Sequence, residues 1–564
     1  MGRKPRTAPR AAVLGGGLLL VALVAQAGMA ALRDSVTIDE FVGLPVGLYA
    51  LQAADFRSES MNPPFFRSFA ALPLLPTGLP APRIPPMNEA NDWAVGYRFM
   101  ADYAAAYHRL FVPPRCMVIV AAALLGALVL RWASEIYGWE AGLAALFLFA
   151  FSPTLLAHAH LVTLDLSGAL GWTAAAYLAW RLLESPTVPR AIVLGLGLGL
   201  APVLKLSGAL VPAVTAILVL VRANGDGGPG VSWRRRLALL VLANGLALAV
   251  LDGLYGFEGV GRRLGDVAFA SQRLAAVAHA VPGLPLPLPV PFLKAMDALF
   301  VGDQPSEPAY YLAGRWSLEG WWYYHLVAFV LKTPLPLIAG GLLAIGAWCA
   351  GRSPGVRDGC VVVPILCVFG ADSLMNPLNI GVRHTLPVYP LLAIAASPYF
   401  AAPIRTLLAA PPTRRTVARA AASIALLGWF LYGNLSVAPR YLEYFNELAG
   451  GSANGHRWLI DSNLDWGQDL VRLSDYLRER HLRSVHLAYF GRVDPRVYGI
   501  EFTPIVEGKS RGIAVVSASL LMGRPYWMWK SPGVLEWSRH GAFAWLQRHR
   551  PVDRIGSMFV FDLP

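Results

Sequence analysis

Long apolar runs recur along most of this 564-residue sequence and end at charged residues or at Pro and Gly turns. Each run has about 15 to 22 residues, close to the length of helix that crosses the apolar layer of a bilayer. With 55% hydrophobic and only 15% charged residues, the composition excludes an ordinary soluble protein. We therefore predict a polytopic α-helical membrane protein with about eleven transmembrane helices. The predicted spans lie near 11–32, 116–132, 139–152, 163–183, 191–204, 206–221, 237–252, 322–348, 359–374, 385–401 and 419–437.

The basic residues indicate the orientation. The formal net charge is +13, but the charge sits in short clusters beside the spans, which favours cytoplasmic loops over a nucleic-acid site. Clusters at 3–10, 234–236 and 405–419 share one side if the N-terminus is cytoplasmic. The N-terminal run resembles a signal peptide but is long enough to span, so we expect it to stay as the first helix. This places four segments outside the cytoplasmic (inner) membrane, namely 33–115, 153–165, 253–321 and 375–384.

The composition changes after Ala438, where charged and turn residues appear at the frequency of soluble proteins. Short β-like runs (WLID, SVHLAYF, GIAVVSASLL and SMFVFDL) alternate there with helical patterns at 467–480 and 542–549. We predict a membrane domain over 1–437 and a small extracytoplasmic α/β domain over 438–564.

An acidic pair, Asp39-Glu40, follows the first span at a short distance, and an Asn-Pro-Pro turn follows at 62–64. A carboxylate beside an enclosed membrane cavity is partly desolvated, so its proton affinity rises toward the range of a general base. Asp39 is therefore a candidate base. The alternative is a pair of ordinary solvated loop carboxylates.

The second outer segment, SPTLLAHAHLVTLD, brings His158, His160 and Asp165 to the same predicted side. Imidazole and carboxylate together suit a divalent cation or a phosphate. The spacing of the two histidines is not a zinc signature, and hydrogen bonding at a helix end is the alternative. Asp165 either caps the following helix or serves a site facing the bundle interior.

Cationic residues also reach this side. Lys205 interrupts an apolar stretch at the outer face, and Arg383-His384 stands at the entrance of a helix. An arginine offers the forked donors that phosphate oxygens accept, and a lipid phosphate is one candidate partner for Lys205. The alternative for these residues is that each reaches water at the end of a helix.

Five stretches resemble the GT-C class of membrane glycosyltransferases, in particular the bacterial relatives of protein O-mannosyltransferases and of aminoarabinose transferases (glycosyltransferase family 39-like). They are TIDE with the later NPP, SPTLLAHAHLVTLD, GLGLGLAPVLKLSGAL, NIGVRHTLPVYP and YFNELAGGSANGHRWLIDSNLDWGQDL. The resemblance implies a polyprenyl-phosphate-linked sugar donor and an acceptor hydroxyl on a protein, glycan or lipid, with transfer outside the membrane and inversion at the anomeric carbon.

By the same resemblance Asp39 is the base, while Glu40 and Asp165 are nearby acids linked to cation binding or acceptor positioning. Lys205, Arg383 and His384 fall where the donor phosphate is bound. A divalent cation, Mg²⁺ or Mn²⁺, is left open as a cofactor, and its predicted ligands are Glu40, Asp165 and His160. The absence of an acid adjacent to Asp165 departs from a paired metal motif.

The tail motif DSNLDWGQDL, at 461–470, combines acids with an aromatic ring. Asp465 and Trp466 are candidates on the acceptor side, because a carboxylate accepts from sugar hydroxyls and an indole offers a ring face. The alternative is that the motif only turns the chain into the next helix.

Two other functions compete with glycosyl transfer. A lipid or solute transporter would place ionisable residues in mid-membrane or show two related halves, and neither pattern stands out here. A purely structural subunit would leave Asp39 replaceable.

Overall fold

A computed structural model describes residues 9–54, 62–80, 89–224, 232–301, 306–351, 356–409 and 411–564. The fold is mostly helical, with a strand-rich C-terminal region. The helices are α1 (Arg10–Arg33), α2 (Ile38–Ala53), α3 (Phe65–Ala71), α4 (Glu89–Asp102), α5 (Tyr107–Tyr137), α6 (Trp139–Ala150), α7 (Pro153–His158), α8 (Asp165–Glu184), α9 (Val188–Leu204), α10 (Val211–Asn224), α11 (Trp233–Leu254), α12 (Gln272–Ala280), α13 (Val290–Val301), α14 (Tyr324–Lys332), α15 (Leu335–Cys349), α16 (Val356–Leu374), α17 (Val388–Ala409), α18 (Arg414–Leu435), α19 (Leu470–Glu479) and α20 (Ala518–Leu521). The strands are β1 (Tyr310–Leu312), β2 (Arg315–Ser317), β3 (Val485–Ala488), β4 (Phe502–Pro504), β5 (Gly512–Ser517), β6 (Tyr526–Ser531), β7 (Val534–Ser538), β8 (Asp553–Ile555) and β9 (Met558–Leu563).

Within the described part of the chain, five helices are long and apolar enough to cross a membrane: α1, α5, α11, α17 and α18. Shorter apolar helices, among them α6, α9 and α15, lie beside them. The outward faces carry large apolar side chains, such as Leu14 and Leu18 of α1, which are 69% and 71% exposed. Such faces are covered by lipid in a bilayer. The chain is therefore a multi-pass membrane protein, while the number of eleven spans stays a prediction.

The predicted span 322–348 is wrong as a single helix, because α14 ends at Lys332 and α15 begins at Leu335. Thr333 and Pro334 lie between them, and Thr333 is extended, with φ −106° and ψ 132°. Proline lacks an N–H and disfavours helix at the residue before it, which explains the break. The Lys332 ammonium is buried there and donates to the carbonyl oxygens of Leu442 and Asn463.

The C-terminal region contains a five-stranded mixed sheet in the order β4-β3-β5-β9-β8. Strand β3 is parallel to β4 and β5, whereas β9 is antiparallel to β5 and β8. Helix α19 buries Leu470, Leu473 and Leu477, at the spacing of one helix face. The runs SVHLAYF, GIAVVSASLL and SMFVFDL contain β3, β5 and β9, but WLID forms no strand.

The C-terminal region is joined closely to the membrane part. Ser35 N donates to the Gln468 carbonyl oxygen at 2.8 Å, and Ile38 N donates to that of Trp466 at 3.1 Å. The buried apolar side chains of both parts form one continuous cluster. These bonds bring the tail motif directly beside the acidic pair, and the predicted domain boundary at 437/438 stays a prediction.

Candidate active site

Asp39 lies in the first turn of α2, which begins with a capping box. Thr37 is the N-cap, and its backbone N–H donates to Glu40 Oε2 at 3.1 Å. A Thr followed three residues later by Glu is the sequence signature of this cap, so the helix start is encoded locally. The Asp39 side chain is 29% exposed. Asp39 is therefore held at a fixed helix end while its carboxylate stays partly open.

Arg383 forms an ion pair with Asp39, from Nη1 to Oδ2. The same Nη1 lies 3.8 Å from Asp165 Oδ2, so one guanidinium bridges the two acids. Arg383 precedes α17 and its side chain is only 11% exposed. The neighbouring Val382 N–H donates to Asn463 Oδ1 at 2.8 Å, which fixes the backbone beside the arginine.

Lys205 completes the arrangement from the other side of Asp165. Its Nζ lies 2.7 Å from Asp165 Oδ1, while the Thr163 hydroxyl donates to Oδ2 at 3.1 Å. The chain is extended at Lys205 between α9 and the turn that follows. A Cβ on Gly208 would meet the Ala201 carbonyl oxygen at 2.2 Å, so the tight turn after Lys205 requires glycine.

Asp39, Arg383, Asp165 and Lys205 therefore form one charge cluster in which acids and cations alternate. They come from four separate stretches of the chain. The two cations balance the two acids, which is what burial of so many charges requires. Lys205 and Arg383 both contact Asp165, so an anion that reached these two cations would compete with that carboxylate for them.

Glu40 has a different environment, and the structure corrects the prediction for it. Its side chain is fully buried, and Arg115 approaches it with two nitrogens, at 2.8 Å and 2.6 Å. Val162 N also donates to Oε1 at 3.0 Å. Burial alone would raise the pKa of the Glu40 carboxyl, but Arg115 and these hydrogen bonds outweigh it and hold the pKa below its usual range. Both oxygens are occupied, which favours a structural role over the predicted catalytic or metal role.

His160 is also bound elsewhere. Its Nε2 lies 2.9 Å from Asp34 Oδ2 and its Nδ1 lies 3.0 Å from the Leu156 carbonyl oxygen. In the parts of the chain that the structure describes, no group of three His, Cys, Asp or Glu side chains is placed to hold a metal ion. The predicted ligand set of Glu40, Asp165 and His160 is therefore not assembled. Among the described residues, Asp165 and Asp39 are paired with cationic side chains, an arrangement that does not suit a divalent cation.

His384 lies next to the charge cluster, but its side chain carries no positive charge. Burial, followed by the nearby Lys205 and Arg383 charges, lowers its pKa well below the usual value for histidine, so the ring is neutral. Its buried Nε2 has no hydrogen-bond partner among the described residues. A neutral imidazole still donates one hydrogen bond, but it does not supply the charge that the prediction assigned to it.

His158 is fully buried, and within the described structure neither ring nitrogen has a hydrogen-bond partner. Its Nδ1 lies 3.9 Å from Asp165 Oδ2, and burial lowers its pKa to about 3. It borders the charge cluster as a neutral ring, whereas His160 bonds to Asp34 and to the Leu156 carbonyl oxygen.

The tail motif does not reach solvent, in contrast to the predicted acceptor role. Asp465 is fully buried and accepts from Ser519 N at 3.0 Å and from the Ser557 hydroxyl at 3.2 Å. Trp466 is 1% exposed, and the Arg383 guanidinium carbon lies 4.5 Å from its ring centroid. The ring face proposed for a sugar is occupied by the arginine in this structure.

A further ion pair, which no sequence pattern indicates, lies near the charge cluster. Arg524 Nη2 lies 3.0 Å from Asp461 Oδ2, and Asp461 interacts electrostatically with Arg383 and Asp39. Asp461 has a left-handed backbone with φ 57°. In the sequence, the position of Asp461 in the motif DSN indicates only a helix cap. Nothing in the sequence near Arg524 indicates a partner so distant in the chain.

Residues 107–251 match the profile of a family described as dolichyl-phosphate-mannose-protein mannosyltransferase. The match confirms the predicted resemblance to GT-C-type membrane glycosyltransferases. It includes Asp165 and Lys205 but neither Asp39 nor Arg383. No curated protein matches the sequence.

Among solved structures, the chain is similar to ArnT from Cupriavidus metallidurans in the apo state, with a TM-score of 0.45 and 13% identity over 97% of this chain and 98% of that chain. The same enzyme bound to undecaprenyl phosphate gives 0.44 and 14% identity over 97% of each chain. The archaeal oligosaccharyltransferase AglB from Archaeoglobus fulgidus, in complex with an inhibitory peptide and a dolichol-phosphate, gives 0.46 and 11% identity over 95% of this chain and 75% of that chain. At these identities and TM-scores the likeness carries no argument about activity.

Proposed function

We propose that this protein is an inverting glycosyltransferase that moves a monosaccharide from a polyprenyl-phosphate donor to an acceptor hydroxyl. The observation that carries the proposal is the charge cluster in a multi-pass membrane protein: the partly exposed Asp39 carboxylate pairs with Arg383, and the buried Asp165 links Arg383 to Lys205. The match of residues 107–251 to mannosyltransferases supports the same class of reaction. A lipid-linked donor suits this setting, because its phosphate enters from the bilayer.

In this mechanism Asp39 accepts the proton of the acceptor hydroxyl, whose oxygen attacks the anomeric carbon. The bond from that carbon to the phosphate oxygen breaks, and polyprenyl phosphate leaves with the electron pair. Arg383 and Lys205 stabilise the negative charge that develops on the leaving phosphate, which is the electrostatic part of catalysis. Asp165 keeps both cations in place. No metal ion is required by this assignment of roles.

The orientation belongs to the proposal as well. The four members of the charge cluster all fall at places that the predicted topology assigns to the outer side of the inner membrane. Their convergence in space supports that topology, with a cytoplasmic N-terminus and an extracytoplasmic C-terminal region. We therefore propose that transfer takes place on the outer face of the membrane, onto a protein, glycan or lipid of the cell envelope.

The test is an assay of the purified protein in proteoliposomes with a panel of radiolabelled polyprenyl-phosphate monosaccharides and a cell-envelope extract as acceptor. The parent should consume one donor, release polyprenyl phosphate and label the acceptor. Asp39→Asn should abolish transfer, whereas Asp102→Asn, which removes an exposed carboxylate in the same outer segment, should leave it unchanged. Movement of intact donor across the bilayer without sugar transfer would overturn the proposal and favour a lipid transporter.

A further inference from the structure

We infer that Trp466 is a positioning residue for the reaction, because it holds Arg383 and the backbone beside Asp39 in one fixed relation. The inference rests on the proposed function, in which the charge cluster is the site of sugar transfer. The contacts themselves do not depend on which reaction takes place there. It gives the tail motif a role different from acceptor binding.

The first contact is between the indole ring and the guanidinium. The Arg383 Cζ atom lies 4.5 Å from the Trp466 ring centroid, and the His158 ring lies edge-on at 6.0 Å from it. Arg383 Nε is buried without a hydrogen-bond partner among the described residues. The guanidinium is therefore held by the Trp466 ring and by the carboxylates of Asp39 and Asp165. The contact with the ring is strong because a cation over an indole is held more tightly when the pair is shielded from water.

The second contact is through the backbone of the same residue. The Trp466 carbonyl oxygen accepts from Ile38 N at 3.1 Å, and Ile38 directly precedes Asp39. Two further bonds tie this stretch to Ser35, whose hydroxyl donates to the Gly467 carbonyl oxygen at 2.7 Å and accepts from Leu470 N at 3.0 Å. One residue thus contacts the cation by its ring and the base's helix by its carbonyl group.

The local turn explains how the chain presents both groups. Gly467 has φ 86°, and a Cβ there would meet the Tyr489 hydroxyl at 2.6 Å. Only glycine adopts this conformation in the available space without strain. The motif DWGQD therefore combines a ring, a tight turn and a helix start, and each part serves the position of the charge cluster.

Loss of the ring should loosen Arg383, because the ring packs against the guanidinium. Trp466→Leu should weaken the binding of undecaprenyl phosphate about tenfold, since a shielded cation–aromatic contact is of that size. Trp466→Phe keeps a ring and should stay within about threefold of the parent. Trp172→Leu is the matched control, because Trp172 is equally buried in α8.

The experiment measures two quantities on purified protein in nanodiscs. The first is the Kd for undecaprenyl phosphate in the parent, Trp466→Leu, Trp466→Phe, Arg383→Gln and the Arg383→Gln/Trp466→Leu double variant. The second is the rate at which phenylglyoxal modifies Arg383, followed by peptide mass spectrometry without any lipid. Trp466→Leu should raise that rate about fivefold, and Trp172→Leu should not change it.

In the Arg383→Gln background, Trp466→Leu should have little further effect on binding, because its effect passes through the arginine. An equal effect in both backgrounds, or an unchanged rate of Arg383 modification, would overturn the inference. If Trp466→Leu does not fold, Ser35→Ala takes its place, because it removes the two bonds to residues 467 and 470. It should weaken undecaprenyl phosphate binding and raise the rate of Arg383 modification, each by about twofold. No shift with Ser35→Ala would then overturn the inference. A parent that binds no undecaprenyl phosphate would refute the proposed function, while the modification rates would still decide the role of Trp466.

Discussion

Asp39→Asn should slow transfer strongly and at the same time tighten the binding of the donor phosphate. The carboxylate and the phosphate compete for Arg383, whose Nη1 is paired with Asp39 in the ligand-free structure. The pair is neither fully exposed nor fully buried, at 29% and 11% side-chain exposure, so we take its strength as about 1 kcal/mol. Its removal should then lower the Kd for undecaprenyl phosphate about fivefold. Loss of a general base should reduce the transfer rate by about two to four orders of magnitude.

The assay compares equilibrium binding of undecaprenyl phosphate with single-turnover transfer in the same preparation. General repulsion between Asp39 and the phosphate would also tighten binding in Asp39→Asn, so the change is repeated in an Arg383→Gln background. Competition predicts that the tightening disappears there, whereas repulsion predicts that it remains. Transfer at the parent rate, or weaker binding by Asp39→Asn, would refute the reasoning.

Three further outcomes follow from the structure. Lys205→Gln should raise the donor KM about tenfold, because it removes a charge-assisted contact to phosphate, whereas Lys294→Gln on the exposed surface should not; equal effects would contradict the assignment. Glu40→Gln should lower stability by about 3 kcal/mol or more in thermal unfolding, since it leaves a buried arginine uncompensated, whereas Glu536→Gln in the exposed pair with Lys530 should cost less than about 1 kcal/mol. Burial raises the pKa of Asp465 to about 7, so the folded state holds a proton that the unfolded carboxyl releases near its usual pKa of about 4. The contribution of Asp465 to stability should therefore fall as pH rises from about 4 through 7, and Asp465→Asn should reduce the slope of stability against pH in thermal unfolding; an unchanged slope would contradict it.

Helix positions could be read from the sequence because apolar runs and their flanking charges follow directly from the bilayer. The helix break at Pro334 could not be predicted from the same patterns. Helix α5 contains Pro113 and Pro114, and α16 contains Pro364, without ending at them. Whether proline breaks a membrane helix depends on which neighbouring groups satisfy the freed carbonyls, and this is a tertiary property. At this break the buried Lys332 side chain donates hydrogen bonds to backbone carbonyl oxygens of the C-terminal region.

The candidate site was partly predictable for a similar reason. The placement of Asp39, Asp165, Lys205 and Arg383 on one side follows from counting spans, and the structure brings these four together. The pairing of Glu40 with Arg115 instead of a ligand had a local signal, since Thr37 and Glu40 form a capping box that directs Glu40 back toward the backbone.

No sequence pattern reports the burial of Trp466 under Arg383. The two residues are brought together by the contact between the tail motif and the segment that precedes α17. A tryptophan in a polar motif is compatible both with a ring that stacks on a sugar and with a side chain packed in the interior. Only the three-dimensional arrangement separates the two.

The most direct test of the charge cluster is a cryo-electron microscopy structure of the protein with undecaprenyl phosphate in nanodiscs. We expect the phosphate oxygens within about 3 Å of Lys205 Nζ and the Arg383 guanidinium, on the side where Asp39 is open to an incoming hydroxyl. A phosphate bound elsewhere, with the Asp39–Arg383 and Asp165–Lys205 pairs undisturbed, would contradict the account.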